Sequence, residues 1–97
     1  MTDVLFIVSR PESGPILAAL IQACRRRGAS WACFFTNTGV KTLANGKVTG
    51  LLACAVKAVA CEYSWERYMG GAKCPAELGS QTSNSALAAE SVKIVSL

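Results

Sequence analysis

Short runs of continuous apolar residues alternate along the chain with segments of helical periodicity. A run that is apolar at nearly every position is typical of a strand buried on both faces of a parallel sheet. Val4–Ser9 fits this description, and three further runs are predicted to be strands: Ser30–Thr36, Val56–Cys61 and Val92–Leu97. The pattern therefore predicts four strands separated by helices or loops.

One long helix is predicted between the first two strands. It begins at Ser13 or Gly14, has Pro15 in its first turn and ends at Gly28. The apolar stripe expected to face the sheet consists of Ile16, Leu17, Leu20, Ile21 and Cys24.

Two shorter helices are predicted in the second half of the chain. The first covers Ser64–Met69, and the second covers 86–91 with its cap at 83–85. The segment 70–81 is predicted to be a loop because it is rich in glycine. The segment 49–55 is compatible with either a helix or a strand. Alternating strands and helices indicate an α/β class, with a mostly parallel sheet of four to five strands covered on both faces.

Length and composition indicate one packed domain. The chain has 97 residues, of which 52% are hydrophobic and 16% charged, with a net charge of +4. So much apolar surface in so small a protein favours burial at a subunit interface. The basic triplet 25–27 suits the end of a helix better than nucleic-acid binding. No targeting or membrane-spanning segment is recognisable, so a cytoplasmic protein without a membrane partner is expected.

Cysteine and histidine usage narrows the chemistry. The chain contains 5 cysteines and no histidine. An odd number of cysteines without a Cys-x-x-Cys pair argues against a disulfide scaffold and a zinc site, and we expect no metal and no cofactor. The lack of histidine excludes Ser-His-Asp and Cys-His catalysis within the chain. Any reactive cysteine must be activated by other means.

Cys61 is the main candidate for a reactive side chain. In a parallel sheet, chemistry gathers beyond the carboxyl ends of the strands, and Cys61 ends the third strand. The helix expected just after it would stabilise a thiolate, and Arg67 would add positive charge. Glu62 and Glu66 would act in the opposite direction. The residues alone leave two readings: a functional thiol, or the last buried residue of its strand.

Three other features allow a functional or a plain structural reading. Cys74, next to Lys73 in the loop 70–81, is expected to be the most exposed cysteine, and is either a secondary thiol or without a role. Trp65 and Tyr68 either cover the sheet or contact a neighbouring subunit. The loop 9–14 either binds an anion or only connects two elements.

The order of these elements resembles the DsrE/DsrF/DsrH (Tus-like) sulfur-relay family over nearly the whole chain. The resemblance runs through "VLFIVS", "CFFTNTGV", "VKAVACEYSWERYMGG" and "GSQTSNSALAAESVKIVSL". In the family, a cysteine at the end of the third strand is followed by a short helix with an arginine and then a glycine. Cys61, Arg67 and Gly70 match these positions, and Gly79 resembles the glycine that follows the final loop.

The resemblance implies a single DsrE-like domain over residues 1–97, with a small flavodoxin-like three-layer fold. It also implies a sulfurtransferase function in which Cys61 carries sulfane sulfur as a persulfide, supported by Arg67 and Cys74. The implied partners are sulfur donor and acceptor proteins, and the implied assembly is a homo- or hetero-oligomer, a trimer or a hexamer. No cofactor is implied.

One departure from the family keeps a second function open. The residues after the cysteine are usually small, whereas Glu62, Tyr63 and Trp65 stand here. If their bulk closes the site, the alternative is a non-catalytic DsrE-like subunit or binding module with an inert Cys61.

Overall fold

Five parallel strands form a single sheet between two layers of helices in the computed structural model, which describes residues 1–97. The strands are β1 Thr2–Val8, β2 Trp31–Phe35, β3 Lys57–Cys61, β4 Glu77–Gly79 and β5 Ser91–Ser96. The α-helices are α1 Gly14–Arg27, α2 Gly46–Leu51, α3 Glu62–Met69 and α4 Gln81–Ala89. Short 3₁₀ helices span Pro11–Ser13, Asn37–Ala44 and Leu52–Cys54. The predicted three-layer α/β fold is confirmed, and its sheet is parallel throughout.

The strand order is β4-β3-β2-β1-β5. The chain builds the sheet outward from β1 to β4, and then α4 carries it back to the opposite edge. Because the strands are parallel, the carboxyl ends of β2, β3 and β4 lie at one end of the sheet. Cys61 and Gly79 are in register there, as are Phe35 and Ala60 one residue earlier.

One face of the sheet is covered by three helices and a 3₁₀ segment. Its core contains side chains from β1, β2 and β3 packed against α1, α2, α3 and the segment Asn37–Ala44. Leu17 and Ile21 of α1 are fully buried. The helix stops at Gly28, whose φ of 66° is left-handed and whose N–H bonds the carbonyls of Cys24 and Arg25. The predicted end of this helix is thus confirmed.

The predicted stripe of α1 is wrong at its first member. Ile16 is 55% exposed, whereas Leu20 and Cys24 pack partly against the core. At 3.6 residues per turn, Ile16 lies about 100° around the helix from Leu17. It therefore falls outside the face that α1 turns to the sheet.

The other face of the sheet is covered by α4 alone. Leu87 of α4 packs on Leu5, Phe34 and Val59, and Cys61 lies in the same cluster. A single nine-residue helix covers only part of a five-stranded sheet. The side chains of β5 on this face remain in solvent, with Val92 63% and Ile94 50% exposed.

Helix α3 begins at Glu62 rather than at the predicted Ser64, and two other elements differ more from the sequence-based predictions. The segment 70–81 is not only a loop, because it contains β4. This strand has three residues, lies at an edge and buries none of them, so no apolar run marks it. Helix α4 begins at Gln81 rather than near residue 86, because Ser80 caps it and exchanges hydrogen bonds with Ser83.

The ambiguous segment 49–55 is helical. It completes α2 and continues into the 3₁₀ turn Leu52–Cys54. This places Cys54 in solvent, and Cys54 rather than Cys74 is the exposed cysteine. The prediction that Cys74 would be the most exposed of the five is therefore wrong.

Candidate functional site

Cys61 lies where β3 passes into α3. It is the last residue of the strand and the N-cap of the helix, with an extended backbone (φ −61°, ψ 118°). Strand alternation turns Val59 and Cys61 toward α4, while Ala60 faces the other core. The residue is 7% exposed. Its thiol is thus held at the boundary between the α4-side core and the carboxyl end of the sheet.

Polar groups from several segments meet around the sulfur. The backbone N–H groups of Tyr63 and Ser64, and the side chains of Ser64 and Gln81, lie close enough to the Cys61 thiol to lower its pKa. The first three belong to the opening turn of α3, and Gln81 is the first residue of α4. The N-terminal ends of two helices therefore converge on one cysteine, where their dipoles favour negative charge.

These groups shift the balance between thiol and thiolate. Burial is the largest single influence and raises the pKa of Cys61, but the hydrogen bonds from Ser64, Tyr63 and Gln81 together outweigh it, so the pKa is lowered. The Cys61 side chain closes no regular capping hydrogen bond with α3. Several donors thus lie around the sulfur, but none forms a regular capping hydrogen bond with it. A lowered pKa increases the thiolate fraction near neutral pH.

Two further hydrogen bonds hold these donors. The backbone N–H of Asn37 donates to Ser64 Oγ at 3.0 Å, and Gln81 Nε2 donates to Thr36 Oγ1 at 3.3 Å. Both partners follow the end of β2, and Asn37 has a left-handed φ of 51°. With its oxygen occupied by Asn37, the Ser64 hydroxyl has its proton available for the sulfur.

Gly79 allows α4 to approach the site. It is in register with Cys61 on the neighbouring strand. A Cβ atom at this position would lie 2.7 Å from both Ser83 Oγ and Val59 Cγ1. Glycine is therefore required for the first turn of α4 to pack over the ends of β3 and β4.

Arg67 is not brought to Cys61. Its guanidinium lies 3.5 Å from the Tyr63 hydroxyl and 5.5 Å from the centre of the Tyr68 ring, on the exposed side of α3. Lys41 lies over the same ring at 5.7 Å. The influences on the pKa of Cys61 do not include Arg67. The expected support from this arginine is replaced by helix N–H groups and two polar side chains.

Cys74 is also apart from Cys61. It is half-buried and packs against the core on the α1 side of the sheet, whereas Cys61 packs on the α4 side. Burial raises the pKa of Cys74, and a backbone hydrogen bond from Ala76 only partly opposes this. All 5 cysteines are free. The geometry offers no pairing between these two thiols.

The bulky residues after Cys61 turn away from its cluster. Trp65 is buried in the α1-side core, and its Nε1 donates to Ala72 O at 2.7 Å. Tyr63 is 68% exposed. Both line an open cleft of about 800 Å³ between α3 and β4, which Cys74 also lines. Tyr68 is at the surface.

The loop Ser9–Gly14 has few free donors for an anion. The N–H of Ser9 donates to Leu97 O, that of Ser13 to Arg10 O and that of Gly14 to Pro11 O. Pro11 has no N–H. The anion-binding reading of this loop thus loses most of the groups on which it depends.

Sequence reasoning located Cys61 but not the whole of its surroundings. Helix α3 was predicted to begin at Ser64, whereas the structure makes Cys61 the N-cap, and only this earlier start places Ser64 at the third helical position, whose side chain can return to the cap. Gln81, Thr36 and Asn37 come from distant segments, and no local pattern connects them with Cys61.

Comparison with known proteins adds no assignment. No family model matches the chain, and no curated protein matches it. No helix has the length and apolar character needed to cross a membrane.

Proposed function

We propose that this protein is a sulfur-relay protein, in which Cys61 carries sulfane sulfur as a persulfide between a donor and an acceptor protein. The observation that supports the proposal best is the set of donors from α3 and α4 that lowers the pKa of Cys61. These donors favour the thiolate, which is the form that attacks sulfur.

Each step of the relay is a thiolate exchange. The Cys61 thiolate attacks the outer sulfur of a donor persulfide, the new S–S bond forms, and the donor leaves as a thiolate. The acceptor thiolate then attacks the outer sulfur on Cys61, and Cys61 leaves as a thiolate. One sulfur atom moves at each step with no net oxidation. The same donors assist both steps, because they stabilise Cys61 as nucleophile and as leaving group.

Ser64 and Gln81 replace the arginine as the proposed supporting residues. Their side chains act on the sulfur directly, whereas Arg67 is directed to Tyr63 and Tyr68. The proposed setting is the cytoplasm, and an assembly into trimers or hexamers remains a prediction from the family resemblance.

A non-catalytic subunit is the second candidate, and one observation favours it. Cys61 is only 7% exposed, so a donor protein has limited access to its sulfur. In that case the polar groups around Cys61 serve packing, and the protein acts through its surface.

Intact-mass spectrometry separates the two functions. The chain is incubated with a low-molecular-weight persulfide, and wild type is compared with Cys61→Ser, Cys54→Ser and Cys74→Ser. The relay predicts a gain of one sulfur atom that is lost only in Cys61→Ser. Cys54 is the matched control, because it is exposed but lacks the surrounding donors. If a donor of verified activity adds no sulfur at Cys61, the relay is wrong and the second candidate stands.

A further inference from the structure

β5 ends the sheet with an unpaired edge of six residues. Leu97, just beyond it, donates its N–H to Ile7 O at 2.8 Å and accepts from Ser9 N at 2.9 Å. Successive peptide groups of a strand point to opposite edges, so those of Ser96 and Ile94 point away from β1. A row of free N–H and C=O groups is a template for another strand.

Exposed or half-buried apolar side chains lie beside this edge on both faces. Val92 and Ile94 are 63% and 50% exposed on the α4 face, where Ile94 is in register with the buried Leu5. On the other face, Val95 borders an apolar groove of about 220 Å³ between the sheet and α1. Lys93 is the only charged residue within the strand.

We propose that β5 pairs antiparallel with β5 of a second copy of this chain. The two copies are related by a two-fold axis that passes midway between their Ile94 residues. A two-fold axis perpendicular to the sheet keeps like faces together, so only residues on the same face stand opposite each other. Centring the pair on Ile94 places Val92 opposite Ser96 and Lys93 opposite Val95 of the second copy.

The backbone pattern agrees with this register. Ile94 points its N–H and C=O outward, so the two Ile94 residues exchange both N–H···O bonds, with Cα atoms about 5.5 Å apart. The side chains agree as well. The Ile94 pair loses its exposure on the α4 face, and on the other face the methylenes of Lys93 cover Val95 while the ammonium stays in water. The strand is thus complementary to itself.

The size of the contact suits a reversible dimer. The paired edge has six residues and is about 20 Å long. An edge contact of this extent buries about 500 Å² on each copy, near the lower limit for a specific interface. We therefore expect dissociation in the micromolar range, about 10⁻⁶ M.

The opposite edge of the sheet is a poorer partner for β5. β4 has only three residues, and an ion pair of 3.6 Å between Lys57 of β3 and Glu77 of β4 places charged side chains at this edge. Head-to-tail pairing of β5 with β4, which would produce filaments, is therefore disfavoured. The proposed β5 contact does not depend on the role of Cys61. It requires an even number of chains, either a dimer or a hexamer with an additional three-fold contact.

Light scattering over a concentration series tests the assembly. Wild type is expected to give twice the monomer mass, or an even multiple. Ile94→Lys places two charges on the axis and is expected to raise the dissociation constant by at least about tenfold. Leu78→Lys is the matched control, since Leu78 is 48% exposed on β4, and it should leave the mass unchanged. A wild type that is monomeric at 100-fold above the expected constant, or a trimer, overturns the proposal.

Disulfide cross-linking tests the register even if Ile94→Lys proves unstable. In a Cys54→Ser background, Ile94→Cys is expected to form a disulfide-linked dimer on mild oxidation, because the Cα separation of about 5.5 Å suits the bond. Ser96→Cys is the control, since the two copies of residue 96 lie roughly 14 Å apart along the strands. Equal cross-linking of the two variants, or none in either, contradicts the register.

Discussion

The backbone N–H of Asn37 donates a hydrogen bond of 3.0 Å to the hydroxyl oxygen of Ser64, across 27 residues of sequence. This bond ties the end of β2 to the first turn of α3. It also orients the hydroxyl whose proton acts on Cys61. One buried serine thus links the local fold with the state of the candidate thiol, and both consequences are measurable.

Replacing Ser64 by alanine is expected to raise the pKa of Cys61 and slow its reaction near neutral pH. The substitution removes the side-chain hydrogen bond to the sulfur and leaves the backbone bonds of Tyr63 and Ser64 in place. The measurement is the pH dependence of Cys61 alkylation by iodoacetamide, followed site by site through peptide mass mapping.

The same variant is expected to lose stability. The N–H of the exposed Asn37 loses its acceptor, and the loss of a typical hydrogen bond of this kind costs about 0.5–1.5 kcal/mol. Chemical denaturation measures this loss. Ser85→Ala is the control, because Ser85 is exposed and bonds only within α4. An unchanged Cys61 profile in Ser64→Ala would show that the hydroxyl does not act on the sulfur.

Stability should depend on pH through Cys61 with a definite sign. The pKa of Cys61 is lower in the folded chain than its ordinary value of 9.0. Between the folded pKa and 9.0 the unfolded chain binds more protons, so stability rises with pH in this window. This contribution is fully present above pH 9.0 and is lost as pH falls through the folded pKa. The difference in unfolding free energy between wild type and Cys61→Ser should therefore grow from acid toward pH 9.

Cys74 provides the opposite case within the same chain. Burial raises its pKa above the ordinary 9.0, so its contribution is present below that pH and is lost as pH rises through the folded pKa. The difference between wild type and Cys74→Ser should shrink on the alkaline side. Parallel pH trends for the two variants would contradict the assigned directions.

The strands were predictable wherever the sequence has an apolar run, which is buried in β2 and largely exposed in β5. β2 is buried at all five positions, and its sequence is apolar throughout. β4 could not be found this way, because an edge strand of three exposed or half-buried residues depends on its neighbour β3 rather than on its own side chains. The start of α4 was displaced for a related reason. Ser80 and Ser83 both look like caps, and only the tertiary structure decides which of them serves as one.

The candidate site was also predictable only in part. The position of Cys61 followed from strand order, because the carboxyl ends of parallel strands are where side chains leave the sheet. The groups that set the pKa of Cys61 could not be predicted from the strand order. Arg67 is close in sequence but turns to its own helix, whereas Gln81 reaches the site because β4 returns the chain beside β3. Contacts set by topology leave no periodic trace in a single sequence.

Cysteine labelling should separate exposure from ionisation. Cys54 is exposed and should react first with a thiol reagent in the native protein at pH 8. Cys33 is 0% exposed, and burial raises its pKa far above the ordinary value, with the nearby Cys24 adding to the shift. It should react only through unfolding, so its labelling rate should increase steeply with denaturant. Labelling of Cys33 as fast as Cys54 without denaturant would contradict the packing of β2.

Gly79→Ala is expected to damage both the fold and the site. The added Cβ would meet Ser83 Oγ and Val59 Cγ1 at 2.7 Å, and neither neighbour is free to move, since Val59 is 1% exposed and Ser83 closes the cap of α4. Overpacking of this kind costs about 1–3 kcal/mol. Because α4 must shift, the Gln81 side chain should move away from the Cys61 sulfur, and the pKa of the thiol should rise.

Gly50→Ala is the control for this substitution. An added Cβ at Gly50, inside α2, would meet nothing within 4 Å, and the variant should be more stable than wild type by about 0.5–1 kcal/mol. Denaturation of both variants, with Cys61 alkylation profiles, tests the two effects together. A Gly79→Ala variant as stable and as reactive as wild type would mean that α4 does not pack over Cys61 in this way.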